Sequence, residues 1–369
     1  MNILLIQLTG KGGAQLYTAQ LFQAISKKDN NVFLILGDYL FEKNQYSENC
    51  SRILPFHTSP NFFIMFFVLI NPKTYFDLIK LVNIAKPDIV HIVFEDPVSA
   101  VLSFFLSRKY PVIVTEHDPK LHDGEKILIR IVFGFSRFIT RNVSKAIIVH
   151  GKFLQNILHE QGVPLNRIYI VPHGDFSYFT KWSDPTINEE LVLLYFGLIN
   201  EYKGIEYLIL AAPKIIAHFP QVKIIIAGEG DFSPYRKLIK IQDNFEIHNT
   251  YIHDEQVAHL FERAAVVVLP YTDASQSGVI PIAYSFKKPV IATNVGSLPE
   301  VIDEGKTGFI IPPRNSELLA ESAITLLSDV SLRKEMGENA YKKMKDELSW
   351  DSNADLLYKI YFEAIRESK

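Results

Sequence analysis

Short unbroken apolar runs that stop at a glycine-rich or polar turn recur along this chain, and each is followed by residues with helical apolar spacing. Such runs are strands covered on both faces, and their alternation with helices dictates parallel sheets joined by crossover helices. The most informative stretch is Pro270 to Glu300. There the run Ala264 to Leu269 ends in a polar loop, Ser277-Gly278-Val279 opens a helical segment, and a second strand, Pro289 to Ala292, follows. Strand, turn and helix N-terminus bring free amides together with the positive end of the helix dipole. That is a ready site for an anion such as a diphosphate.

The series opens with a strand at Asn2 to Leu8, the turn Gly10-Lys11-Gly12-Gly13, a helix over Ala14 to Ser26 and a strand at Val32 to Leu36. Further strands are expected at Asp88 to Val93, Val112 to Thr115, Ala146 to His150 and Ile168 to Val171. Asp175 to Glu190 is polar and irregular and reads as a linker. The alternation restarts at Leu191 to Phe196 and runs to a strand at Phe309 to Ile311 and a helical stretch, Glu317 to Met344. The fold class is therefore α/β, with two doubly wound, Rossmann-like halves expected at 1–178 and 179–349. A length of 369 residues suits two such domains.

The single Cys50 forms no internal disulfide, which fits a reducing, cytoplasmic setting. Met1 to Leu8 lacks a basic leader and reads as a first strand. The longest apolar run, Phe62 to Ile70, is less than half of the about 20 residues that a membrane span needs. Net charge is −3, but through Thr180 there are 18 Lys and Arg against 14 Asp and Glu, so the first half is +4 and the rest −7. That polarity suits an anionic partner or surface for the first half. Nucleic acid is not among the expected partners.

Candidate chemistry sits at strand ends. Gly12 and Gly13 let backbone approach a ligand closely, although Gln15 stands where a dinucleotide fingerprint needs a third glycine. A strand ends at Gly197, and Lys203 stands where the next helix begins, placed to point a cation at phosphate. His117, after the strand Val112 to Thr115, can hydrogen-bond a substrate or act in acid–base chemistry, the alternative being a satisfied loop histidine. His91, inside an apolar run, reads as structural. His117, Asp118, His122 and Asp123 are dense but match no compact zinc spacing, and no metal or other cofactor is expected. Lys126, Arg130, Arg137 and Arg141 fall on one face of an amphipathic helix that could rest on an anionic membrane surface, or be a solvated face over an ordinary core.

Several motifs together resemble glycosyltransferase family 4, retaining nucleotide-sugar enzymes of the GT-B fold. They are Gly12-Gly13-Ala14-Gln15, Thr115-Glu116-His117-Asp118, Pro172-His173-Gly174, Phe196-Gly197 with Tyr202-Lys203-Gly204, Ala227-Gly228-Glu229-Gly230, the 270–300 stretch and Gly305-Lys306-Thr307-Gly308. The resemblance implies two Rossmann-like domains facing a central cleft, with acceptor on the first and donor mostly on the second. It also implies a C-terminal helix within 350–369 that crosses back to the first domain.

Carried over by position, Lys203 would face the donor diphosphate and the amides of Ser277, Gly278 and Val279 would cradle it, with Gly197 and Gln276 in the donor site. Gly12 and Gly13 would let the first domain close over the donor, and His117 would reach the sugar. This sequence departs from the family pattern in two ways. Leu198 stands where a second phosphate cation is common, and the usual pair of glutamates is absent, with Asp273 the nearest acid.

The function expected from the resemblance is transfer of a sugar from a nucleoside diphosphate donor to a saccharide or lipid-linked acceptor, as in cell-surface polysaccharide assembly. Its setting would be the cytoplasm, or the inner face of the membrane with peripheral contact through the first domain. The alternatives are a catalytically impaired scaffold that partners an active transferase, and a nucleotide-sugar isomerase on the same fold.

Overall fold

The computed structural model describes the chain apart from residues 11, 29–30, 43–44, 47–51, 60, 120–126 and 369. Cys50, Lys126, His122 and Asp123 therefore lie outside the described residues. Two compact units form, Met1–Gly174 with Trp350–Lys369, and Asp175–Ser349.

The first unit is built on seven parallel strands, β1 (Ile3–Gln7), β2 (Val32–Gly37), β3 (Ile53–Phe56), β4 (Ile89–Ile92), β5 (Val112–Thr115), β6 (Ala146–Val149) and β7 (Ile168–Ile170). Their spatial order is β3-β2-β1-β4-β5-β6-β7, so the winding reverses between β1 and β4. Successive side chains alternate between faces. Ile3 and Leu5 join Tyr17, Leu21 and Phe22 of the helix Gly13–Lys28, and Leu357, Ile360 and Tyr361 of the helix Trp350–Arg366. Leu4 and Ile6 join the helices Pro72–Ala85, Pro97–Leu106 and Lys152–Glu160 on the other face. The last helix thus completes the first unit's core. β3 was not anticipated, because its four residues include Pro55, which a ladder accepts only at an edge.

The second unit has six parallel strands, β8 (Val192–Phe196), β9 (Lys223–Ala227), β10 (Phe245–His248), β11 (Val266–Leu269), β12 (Val290–Thr293) and β13 (Gly308–Ile311). Their order is β10-β9-β8-β11-β12-β13, and here the reversal falls between β8 and β11. The stretch expected to be helical from Glu317 to Met344 is two helices, Ser316–Ser328 and Val330–Glu347. Asp329 separates them, its carboxylate accepting from the Leu332 amide at 2.9 Å as the second helix's N-cap.

The division between units falls at Gly174 and Asp175 rather than at 178 and 179. A Cβ on Gly174 would lie 2.2 Å from the Trp350 ring, which fastens that residue to the first unit. One residue on, the Asp175 amide donates to the Leu348 carbonyl at 2.8 Å, within the second unit. The stretch read as a linker also carries structure. Ser177–Trp182 is a 3-10 helix whose Tyr178 hydroxyl bonds Asp254 at 2.9 Å. Among the described residues, no helix is long and apolar enough to cross a membrane.

Candidate active site

In open α/β sheets the crevice for a ligand lies at the carboxyl ends of the strands, where the winding reverses. In the second unit that places it at the loops after β8 and β11. The two are fastened together, because the Tyr202 carbonyl accepts from the Thr272 amide at 2.8 Å and from its hydroxyl at 3.2 Å. Gly204 makes the approach possible. Its φ is +62°, and a Cβ there would sit 2.1 Å from the Pro270 carbonyl oxygen. The loop after β12 joins the same cluster through Gly296, where a Cβ would lie 1.9 Å from the Ala274 carbonyl oxygen.

This packing sets the direction of Lys203. Its ammonium lies 3.8 Å from the centre of the Tyr271 ring, and it forms no ion pair among the described residues. Ser277 stands beside the same tyrosine, with hydroxyl oxygens 3.4 Å apart, and its Oγ accepts from the Val279 amide at 3.3 Å. Of the three amides expected to face a diphosphate, that of Val279 is therefore turned to the chain's own hydroxyl. Those of Ser277 and Gly278 have no acceptor among the described residues.

Gln276 keeps its buried Oε1 without a hydrogen-bond partner among the described residues. Gly197 closes β8, its amide bonded to Ala227 at 3.0 Å. The Asp273 amide lies 3.4 Å from the Tyr202 carbonyl, so this acid belongs to the same loop as Tyr271 and Ser277. Leu198 is exposed and offers no charge. A separate cavity of about 440 Å³ lies toward the amino-terminal ends of these strands. It is lined by Ser183, Glu189, Glu262 and Lys288, and the Lys288 ammonium there is closed onto Glu189 at 2.9 Å.

In the first unit, Gly12 and Gly13 are exposed, and nothing lies within 4 Å of where either Cβ would be. The buried Gln7 shapes this turn by donating from Nε2 to the carbonyls of Thr9 and Gly10, each at 3.0 Å. Three neighbouring strands each end in a histidine, His117 after β5, His150 after β6 and His173 after β7. His117 Nε2 lies 3.0 Å from the Val93 carbonyl and its Nδ1 lies 2.9 Å from His150 Nε2. His150 Nδ1 in turn lies 3.0 Å from the Val171 carbonyl.

Tyr17 packs edge-on against all three rings and against Trp350. Burial pushes the three imidazoles below the usual histidine range, His173 to about 3, while the carbonyls of Val93 and Val171 work against it at His117 and His150. His117 thus has both ring nitrogens engaged by the protein. His91 is fully buried between the Tyr361 hydroxyl at 2.6 Å and Thr115 Oγ1 at 2.7 Å, in keeping with a structural role.

The basic face expected on the helix Ile127–Val143 is split. Arg130 is exposed, but Arg141 turns inward and grips Glu116 with Nε at 3.0 Å and with Nη2. Arg137 lies 3.7 Å from Glu116 and 3.9 Å from Glu95. The reason is electrostatic, since Glu116 is completely buried and a carboxylate there needs a cation. The side chains left outside are Ile131, Phe135 and Phe138, each more than 60% exposed. Helical spacing alone did not reveal this, because it does not say which side of a helix holds buried carboxylates. The histidine row was open to detection, as each of three apolar runs is followed closely by a histidine.

Two family models match the chain side by side, Glycosyltransferase Family 4 over residues 11–174 and Glycosyl transferases group 1 over residues 190–329. An uncharacterized glycosyltransferase of Methanocaldococcus jannaschii is 30% identical over 177 residues, which are 47% of this chain and 45% of that one. The match thus spans about half the length of this curated relative. Among solved structures, sucrose-phosphate synthase from Thermosynechococcus elongatus aligns over 100% of both chains with a TM-score of 0.80 at 18% identity. Anabaena HepE in complex with UDP-glucose aligns over 98% of this chain and 100% of its own, with a TM-score of 0.78 at 16% identity. At such identities the likeness is one of fold. With the Family 4 model over residues 11–174 of the first unit and the group 1 model over 190–329 of the second, the chain belongs to glycosyltransferase family 4.

Proposed function

We propose that this protein is a retaining glycosyltransferase that moves a sugar from a nucleoside diphosphate donor to a saccharide or lipid-linked acceptor. The observation that carries this reading is Lys203, an ammonium laid on Tyr271 without an ion-pair partner among the described residues. It stands in the loop after β8, fastened to the loop after β11 that carries the open amides of Ser277 and Gly278. A cation and amides gathered at a strand reversal suit a diphosphate. In the reaction the bond from the sugar's anomeric carbon to the phosphate oxygen breaks and one to the acceptor oxygen forms. The acceptor's proton passes to the leaving phosphate. Lys203 and the amides stabilise the charge that develops on that phosphate, and Asp273 and Gln276 line the sugar's side.

Calorimetric titration with a panel of nucleotide sugars and nucleoside diphosphates, followed by a transfer assay, tests the proposal. Saturable binding of at least one donor is expected. Lys203→Ala should lower kcat/KM by a decade or more, about 2 kcal/mol, without a change in melting temperature. A protein that binds none of the panel would instead be a scaffold.

Peripheral contact with the inner face of a membrane is the second part of the proposal, supported by the aromatic surface of the first unit. The helix Phe62–Ile70 contains only apolar residues and exposes Phe66 and Phe67. The helix Pro97–Leu106, packed against both it and Ile127–Val143, is followed by Arg108, whose guanidinium lies 4.5 Å from the Phe104 ring. Exposed rings bordered by arginine suit the headgroup boundary of a bilayer. Sedimentation with anionic vesicles should carry the protein down, and Phe135→Ser with Phe138→Ser should release it. Loss of binding on Arg130→Gln alone would point to a purely electrostatic contact.

A further inference from the structure

A neutral imidazole carries one N–H, and a carbonyl oxygen only accepts. The row from Val93 through His117 and His150 to Val171 contains three contacts, at 3.0, 2.9 and 3.0 Å. Each carbonyl end needs an N–H pointing at it, and the contact between the two rings needs one more. Two neutral rings supply two protons for three contacts. One carbonyl would then face a bare nitrogen lone pair at 3.0 Å, or the two rings would meet lone pair to lone pair. Three protons on two rings satisfy the row and make one of them an imidazolium.

We propose that His117 and His150 form a proton-sharing pair that holds a single positive charge, with His150 the positioning residue that fixes the ring of His117. The functional half of this inference rests on the transferase reading above and on the family resemblance, which implies that His117 reaches the sugar. Burial works against the charge, as do His117 and His173 at His150, and the two carbonyls work for it.

The surrounding elements contribute few other charges. Tyr17 comes from the helix Gly13–Lys28, His91 from β4 and His173 from the turn after β7. Burial keeps all three neutral, the two histidines being pushed to about 3. Asp118, after β5, favours the charged form of His117, while Glu116 is turned away onto Arg141. Tyr17 sets its ring 5.0 Å from that of His117 and 5.3 Å from that of His150. As pH rises the third proton leaves, one contact in the row is lost, and His117 is no longer held at both nitrogens. Transfer therefore falls on the alkaline side.

Two measurements on the full chain test this. Nitrogen-15 NMR of histidine-labelled protein counts the ring-bound protons at neutral pH, with His117→Gln and His150→Gln used to assign the signals. Three protons on the pair are expected, and two would overturn the charge. In parallel, the pH profile of kcat/KM is compared for wild type, His150→Gln and His150→Ala. The glutamine amide offers a donor toward His117 Nδ1 but does not titrate.

We expect His150→Ala to lose on the order of tenfold in kcat/KM. His150→Gln should recover part of that loss and lack the alkaline limb. A limb unchanged in His150→Gln, or a glutamine variant of native melting temperature no better than alanine, would overturn the positioning role. Failure of the transferase reading is distinguishable, because a wild type inactive on every donor would leave the NMR proton count to decide the charge by itself.

Discussion

The strand ends of the two units differ in what they leave unsatisfied. In the second unit the reversal point presents a lysine resting on a ring and, among the described residues, two amides without acceptors and a buried glutamine oxygen without a donor. In the first unit most polar side chains at the ends of β4 to β6 are tied to another, although Gln7 Oε1 and Asp96 Oδ2 are buried without a partner among the described residues. Glu116 is bound to Arg141, Glu95 to Thr140, His117 to His150, and His91 to Thr115. Buried polar groups are normally paired, so unpaired ones mark where a ligand is expected to complete the set. Paired ones fix shape. What sets the second unit's reversal point apart is a lysine without an ion pair among the described residues, which suits it to receive negative charge, while the paired side chains after β4 to β6 hold a surface in place.

The largest effect that could break this comparison is at Arg141. The Glu116 side chain is wholly buried and that of Arg141 is 16% exposed. Removing the cation takes both hydrogen bonds from the buried carboxylate and leaves it only Arg137, at 3.7 Å. Arg141→Met should therefore cost about 3 kcal/mol of stability, read by thermal or urea unfolding. Replacing both partners, Arg141→Met with Glu116→Leu, should recover most of it, because the desolvated charge is gone. A single variant as stable as wild type would mean that the first unit's pairs are not what holds its surface.

How much of this was legible in the chain depends on the kind of interaction. Twelve of the thirteen strands were within reach of pattern reading because an apolar run stood alone, and the run Ala264 to Leu269 with its loop marked a strand end of the kind where open parallel sheets place ligands. β3 escaped because a four-residue edge strand with a proline has no such run. Lys203 was legible because a cation at a strand's end is a local fact. The partnership of His117 with His150 was not, since a separation of 33 residues carries no local spacing. The same holds for Arg141 and Glu116, 25 residues apart. Their meeting depends on β5 and β6 being neighbours in the sheet and on which side of a helix turns inward. The amphipathic pattern gave the helix but assigned its arginines to the outside, because helical periodicity shows charge without showing what that charge faces.

The smallest expected effect sharpens the comparison, because it repeats the Arg141 chemistry at a more open place. In the second unit Arg263 grips Glu246 with both terminal nitrogens at 3.0 Å and also reaches Glu190. These bonds, with burial opposing and His248 assisting, hold the Glu246 carboxyl down to about 2 from its ordinary 4.5. The unfolded chain titrates near 4.5, so the contribution is whole above that value and disappears as pH falls through about 2. Glu246 keeps 32% of its side chain in solvent, and the screening that follows reduces the pair to about 1 kcal/mol. Arg263→Met should therefore lower stability by that amount at pH 7 and by progressively less toward pH 2, measured by urea unfolding. Equal costs for Arg263→Met and Arg141→Met would show that the arginine–carboxylate geometry, and not burial, sets the value of these pairs. The first unit's paired strand ends would then lose their claim to a distinct structural role.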